Sequence, residues 1–285
     1  MAQFTNQAQL SYNSTVINSN IAVGELLEVL SMTKTAVMDD YSRNDDVTYV
    51  ISIVNSGNFA FNNITLTDNL GEYTLDNSTL YPLTYVAGSA RLYINGILQT
   101  TAPTVTAGPP LVFSGLNIPA NSNITIIYEA EVTQFAPLAT ESSIVNTATL
   151  NGADLTAPIT ATETVTPESA PELSITKSME PSVITENGTI TYTFIIQNYG
   201  NTAADAADNV SISDTFDPIL SNLTVTLNGT PLTITTNYTY NATTGLFTTV
   251  PGTITVPAAT YTQDATTGTW VITPGVTTLV VTGVV

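Results

Sequence analysis

The chain has 285 residues, 23 acidic and four basic side chains, no histidine and no cysteine, giving a formal net charge of −19. These counts exclude disulfides, thiolate or histidine zinc sites and most nucleophile–base pairs. The charge argues against nucleic acid and anionic membrane surfaces as partners. Thr, Asn, Val, Ile, Ser and Tyr dominate, and Gly and Pro punctuate the whole length, which is the profile of short strands joined by turns. The expected fold class is all-β, and the length suits two domains.

In chain order, residues 1–29 read as an arm and linker. Met-Ala-Gln-Phe-Thr-Asn has neither the basic region nor the apolar run of a signal peptide. Two strands are predicted in the arm, over 4–10 and 17–23. Phe4, Asn6, Ala8 and Leu10 alternate onto one face, and Ile17, Ile21 and Val23 supply the apolar residues of the second strand. Residues 30–166 read as a complete β-sandwich, 167–172 as a short Pro-bearing linker, and 173–285 as a second, incomplete sandwich.

The division rests on an internal repeat. Leu30-Ser-Met-Thr-Lys34 matches Leu173-Ser-Ile-Thr-Lys177, and a Thr-Tyr pair follows at Tyr49 and Tyr192. Asn55-Ser-Gly57 matches Asn198-Tyr-Gly200, and Ile64–Asp68 matches Val210–Asp214. Hairpin turns are predicted at Asn95-Gly96 and Asn228-Gly229. A strand over 124–132 matches one over 277–285, but only the first copy continues through 144–165. The counterpart of that last segment is the arm: Phe4-Thr-Asn-Gln-Ala-Gln-Leu10 stands to Leu30–Lys34 as Ile144-Val-Asn-Thr-Ala-Thr-Leu150 stands to Leu173–Lys177. The expectation is a chain that opens with the closing strands of one domain and ends on a domain lacking them. The competing expectation is a fragment of a longer array.

This order of Lys, Thr-Tyr, Asn-x-Gly, an Asp closing an alternating strand, and Val-Asn-Thr-Ala-Thr resembles the "conserved repeat domain" family of bacterial surface proteins, domain of unknown function eleven. The resemblance covers both repeats and implies immunoglobulin-like sandwiches on a cell or spore surface, with no particular ligand.

The only two lysines, Lys34 and Lys177, fall on the apolar faces of their predicted strands, as do Asp68, Asp214, Asn146 and Asn6. Core-facing charge is costly unless paired. A buried Lys–Asp–Asn trio also has the parts for a spontaneous isopeptide bond. Burial favours the neutral amine and the protonated acid. The amine attacks the carboxamide carbon, the acid (Asp68 or Asp214) polarises the carbonyl and shuttles the proton, and ammonia leaves. The chemistry resembles that of Gram-positive pilin and adhesin domains. Lys34 would join Asn146 within one chain, and Lys177 would join Asn6 of a neighbouring copy. The plain alternative is a hydrogen-bonded Lys–Asp pair with Asn as a satisfied neighbour.

An open sandwich edge is a template for another strand, so the arm is expected to complete a second copy by donor-strand complementation. Head-to-tail contacts of this kind propagate as filaments. The predicted function is therefore a structural subunit of an extracellular or spore-surface homopolymer. Identical subunits are its partners, with no cofactor, no metal, no nucleic acid and no membrane insertion. The rival is an adhesin fragment with a ligand in its loops; residues for enzymatic turnover are lacking. Asp39-Asp40 and Asp45-Asp46 read as a solvated turn rather than a calcium site, and Trp270 reads as a core residue.

Overall fold

Alternating Thr/Ser and Val/Ile/Leu build half-buried strands, and the computed structural model, which describes residues 2–285, contains 28 of them with one short 3-10 turn at Ala206–Asp208. The arm holds β1 (Ala2–Asn6), β2 (Gln9–Tyr12), β3 (Thr15–Asn18) and β4 (Ala22–Leu26). The first sandwich holds β5 (Leu30–Ala36), β6 (Asp40–Tyr41), β7 (Asp46–Asn55), β8 (Phe61–Asp68), β9 (Tyr73–Leu75), β10 (Ser78–Leu80), β11 (Leu83–Tyr85), β12 (Arg91–Ile94), β13 (Ile97–Leu98), β14 (Thr104–Thr106), β15 (Leu111–Ile118), β16 (Ser122–Val132), β17 (Ile144–Asn151) and β18 (Ile159–Pro167). The second holds β19 (Leu173–Glu180), β20 (Thr189–Asn198), β21 (Ser213–Thr215), β22 (Ser221–Leu227), β23 (Thr230–Pro231), β24 (Tyr238–Tyr240), β25 (Leu246–Thr249), β26 (Thr260–Gln263), β27 (Trp270–Thr273) and β28 (Gly275–Val284).

The first sandwich packs a sheet of order β13-β12-β16-β7-β5 against one of order β14-β15-β8-β17-β18-β6. Their inner faces enclose a core that includes Tyr49, Ile51, Leu66, Phe113, Tyr128 and Leu150. The second repeats the first sheet as β23-β22-β28-β20-β19 and only half of the other, as β24-β25-β21. Where β17 pairs with β8, and β18 with β17, β21 has no partner on that side among the described residues. The consequence appears in β19. Its counterpart β5 alternates buried and exposed under β18, whereas every residue of β19 is exposed, including Leu173, Ile175 and Met179.

The two strands expected in the arm are each broken in two and pair with each other as a single bent hairpin. β1 pairs with β4, and β2 with β3, around a left-handed turn at Asn13-Ser14. The pairing Leu10↔Ile17 reproduces Leu150↔Ile159 of the β17–β18 hairpin. Farther from the tip the register slips by one residue, so that Asn6 lies opposite Ala22 while Asn146 lies opposite Glu163. At the open end the Phe4 ring lies against Gly24 so closely that a Cβ there would sit 2.3 Å from it. That pair, Phe4↔Gly24, stands where Ile144↔Val165 stands in the first sandwich.

Trp270 corrects the expectation of a core residue. It lies on β27, in a hairpin formed by residues that the first repeat lacks, and its indole donates to the Phe135 carbonyl of the first sandwich at 3.2 Å. Arg43 reaches back to the Trp270 carbonyl at 2.9 Å, and Tyr261 and Ile272 pack on the edge of the first core.

Candidate functional site

Sheet pairing brings the first trio together from both layers. Asp68 ends β8, and Asn146 lies two residues from Ala148, which pairs with Asp68, so acid and amide share one sheet face. Lys34 on β5 projects from the facing sheet together with Tyr49 and Tyr128. The amine and the amide thus come from facing sheets, with Asp68 between them in the chain of contacts. All three polar residues are buried, Lys34 at 4% exposure and Asp68 and Asn146 at 0%.

Lys34 Nζ lies 2.6 Å from Asp68 Oδ2 and 4.6 Å from the centroid of the Tyr49 ring. The Tyr128 hydroxyl donates to the same Oδ2, and the Leu70 N–H donates to Asp68 Oδ1 at 3.0 Å. Asn146 Nδ2 approaches the Tyr128 hydroxyl at 3.5 Å, so a chain of contacts runs from amine through acid and phenol to amide. Burial pulls the Lys34 ammonium down to about 8, against the opposing pull of the Asp68 carboxylate. Burial raises both phenols above their ordinary range. Neither Tyr49 nor Tyr128 is singled out by sequence as part of the site, although the Thr-Tyr pair at Tyr49 recurs at Tyr192 and that recurrence was the available signal.

The second site is half built. Lys177 Nζ pairs with Asp214 Oδ2 and lies 4.6 Å over the Tyr192 ring and 5.5 Å from the rings of Phe194 and Phe216. Its side chain is 41% exposed, because no strand covers β19. The position opposite Tyr192 is Val281, where Tyr128 stands opposite Tyr49 in the first site. Asn6 is not brought to this site within the chain: the arm strands pair only with each other. Phe4, Ala8, Leu10, Ile17, Ile21 and Val23 are all exposed, Phe4 at 58% and Leu10 at 62%.

Among the described residues no cluster of His, Cys, Asp and Glu is arranged to hold a metal, and no helix is long and apolar enough to cross a membrane.

No protein-family model matches the chain, so the resemblance to the conserved repeat domain family stays a resemblance, and no curated protein matches either. Among solved structures it is similar to the major pilin subunit of Bacillus cereus (13% identity, TM-score 0.36, covering 96% of this chain and 73% of that one). It is also similar to the pilus backbone of Streptococcus pneumoniae (12% identity, TM-score 0.35, 86% and 55%). A third is the collagen-binding domain of a Staphylococcus aureus adhesin (12% identity, TM-score 0.31, 49% and 99%).

Proposed function

We propose that the chain is a structural subunit of an extracellular fibre on a cell or spore surface, polymerising head-to-tail as the arm hairpin of one copy completes the second sandwich of the next. The observation that carries this reading is a match of vacancy and occupant. The second sandwich is open at the place that the β17–β18 hairpin fills in the first, and the arm is a hairpin with the same Leu–Ile register and an exposed apolar surface. An isolated two-stranded hairpin is marginal in water, and large exposed apolar patches mark interaction sites. Docking offsets both defects at once by pairing the β21 edge and covering β19.

Docking also delivers an asparagine to Lys177 and Asp214. In both sites the lysine ammonium gives a proton to the aspartate, the free amine attacks the asparagine Cγ, the Nζ–Cγ bond forms, the Cγ–Nδ2 bond breaks, and ammonia leaves. In the first site the leaving nitrogen receives its proton along the contact chain from Asp68 through the Tyr128 hydroxyl. The bond at Lys34 braces a single sandwich; the bond at Lys177 to Asn6 of another copy makes the fibre covalent.

Boiled denaturing gels and intact mass test this. The expected result is a ladder that disappears in Lys177→Ala and in protein lacking residues 1–23 but persists in Lys34→Ala, with a loss of one ammonia, about 17 Da, per bond. Monomeric protein of full calculated mass would overturn it. An arm-deleted protein as stable as the parent and still binding a ligand would favour the adhesin fragment instead.

A further inference from the structure

Two buried polar atoms of the first site have no hydrogen-bond partner among the described residues: the Tyr49 hydroxyl and Asn146 Oδ1. One is a donor and the other an acceptor, and buried polar groups are rarely left unpaired. Both lie in one pocket: the Tyr49 ring stacks on that of Tyr128 with centroids 5.5 Å apart, and the Tyr128 hydroxyl is 3.5 Å from Asn146 Nδ2. When Lys34 Nζ attacks Asn146 Cγ, it is Oδ1 that takes on negative charge, and a pre-aimed donor is most effective at that atom.

Asp68 is badly placed for that task. Its Oδ2 already serves Lys34 and Tyr128, and its Oδ1 accepts from the Leu70 N–H. The expectation that the acid polarises the carbonyl therefore gives way to a division of labour, in which Asp68 handles protons and another group handles the oxygen.

We propose that Tyr49 is the oxyanion donor for the intrachain bond, and that Tyr192 holds the same post for the bond between copies. The repeat supplies an internal comparison. Each lysine lies at the same 4.6 Å from the ring of its own tyrosine, and each tyrosine stands two residues before the partner of its lysine, Ile51 in one copy and Phe194 in the other. Tyr128 is not kept, since Val281 replaces it. The shared parts of the two sites are thus the amine, the acid and one phenol. Aspartate takes one proton from the ammonium, and Nζ adds to Cγ while the tyrosine O–H holds the developing O⁻. Aspartate passes its proton to Nδ2 and accepts one from the attacking nitrogen, and ammonia departs as the carbonyl re-forms.

The inference rests on the crosslinking reading, so its test separates the two. Tyr49→Phe keeps the ring beneath Lys34 and removes only an unpartnered hydroxyl. Freshly synthesised protein, followed by intact mass against time, should lose ammonia from the first sandwich about 100- to 1,000-fold more slowly than the parent. Its gel ladder should persist. Tyr192→Phe should do the reverse, slowing the ladder by a similar factor while the intrachain loss proceeds. A general weakening of the fold would not sort the two bonds in this way, and Tyr192→Phe keeps the test open if Tyr49→Phe fails to fold. If the parent forms bonds and both variants react at parental rates, the phenols have no such role while crosslinking stands. If the parent loses no ammonia and gives no ladder, the crosslinking reading fails and this inference falls with it.

Discussion

At the residue scale the informative quantity is the energetic cost of Lys34. A buried ammonium with its carboxylate removed is left uncompensated, so Asp68→Ala should cost about 3–5 kcal/mol of stability in a chain that also lacks the crosslink, read as a shift of the urea midpoint. The pair also sets a pH signature, best seen in Asn146→Ala, where Lys34 stays free. Burial lowers the folded-state value of Lys34 to about 8. Between there and its unfolded value near 10.5, the unfolded chain binds more protons, so stability rises as pH increases through that window. Tyr41, Tyr49 and Tyr128 act oppositely. Burial raises their folded-state values, so above about pH 10 the unfolded phenols ionise first and stability falls. The urea midpoint of Asn146→Ala should therefore climb from pH 8 towards pH 10 and decline beyond. A flat profile from 8 to 10 would mean that Lys34 is not desolvated as described. Lys34, Asp68 and Asn146 were legible in the sequence because period-two alternation assigns a face to each residue. Tyr49 and Tyr128 were not, because a tyrosine among alternating apolar residues reads as core, and its ring is indeed core; only the hydroxyl would belong to the proposed chemistry.

At the element scale the second sandwich is defined by what its strands lack. Among the described residues β21 has an unpaired edge, and β19 exposes the side chains that β5 buries. Adding a peptide of residues 2–29 to arm-deleted protein should slow amide hydrogen exchange along Ser213–Thr215 and raise the melting temperature, and Asn6→Ala in that peptide should keep the protection while losing the covalent product. Protection elsewhere, or none, would place the arm on a different surface. The all-β class, the repeat and two strands in the arm followed from alternation; the strand order within each sandwich and the pairing of the arm with itself did not, because period two gives each residue a face and no neighbour. The one-residue slip between Leu10↔Ile17 and Asn6↔Ala22 did not, because the spacing between closing strand and lysine is 31 residues in one copy and 28 in the other and does not say where the difference falls. The role of the repeated Asn-x-Gly was also hidden. Asn55 and Asn198 are buried, each donating to two loop carbonyls and accepting from the glycine N–H, which fixes the end of the sandwich next to the linker.

At the scale of the whole molecule, the two repeats differ in what lies between their last core strands. Three residues connect β15 to β16, whereas residues 250–274 connect β25 to β28 and include the β26–β27 hairpin. That hairpin clamps one sandwich to the other, as Trp270 bonds Phe135 and Gln263 bonds the Tyr73 hydroxyl at 2.6 Å; outside the hairpin, Asn201 in the loop after β20 adds bonds to the carbonyls of Leu138 and Glu168. In sequence Trp270 reads as a core residue, because periodicity shows that a face is apolar and not which domain it meets. The first sandwich has no such hairpin to lay on the copy before it. In the proposed fibre the chain would run between docked copies through residues 27–29, which follow β4 and end where the Ser56 N–H donates to the Val29 carbonyl at 2.9 Å. A fibre built this way alternates clamped and unclamped joints, and its bending belongs to the unclamped ones. Trp270→Ala removes the indole donor and its packing, and should free the clamped joint as well. Small-angle scattering of the arm-deleted subunit should then show a broader distribution of distances between sandwiches. Negative-stain images of the full-length variant should show fibres with a shorter persistence length, while the gel ladder stays at parental intensity because neither lysine site is touched. Unchanged scattering and unchanged fibre curvature would mean that the linker, not the hairpin, sets the angle between the sandwiches.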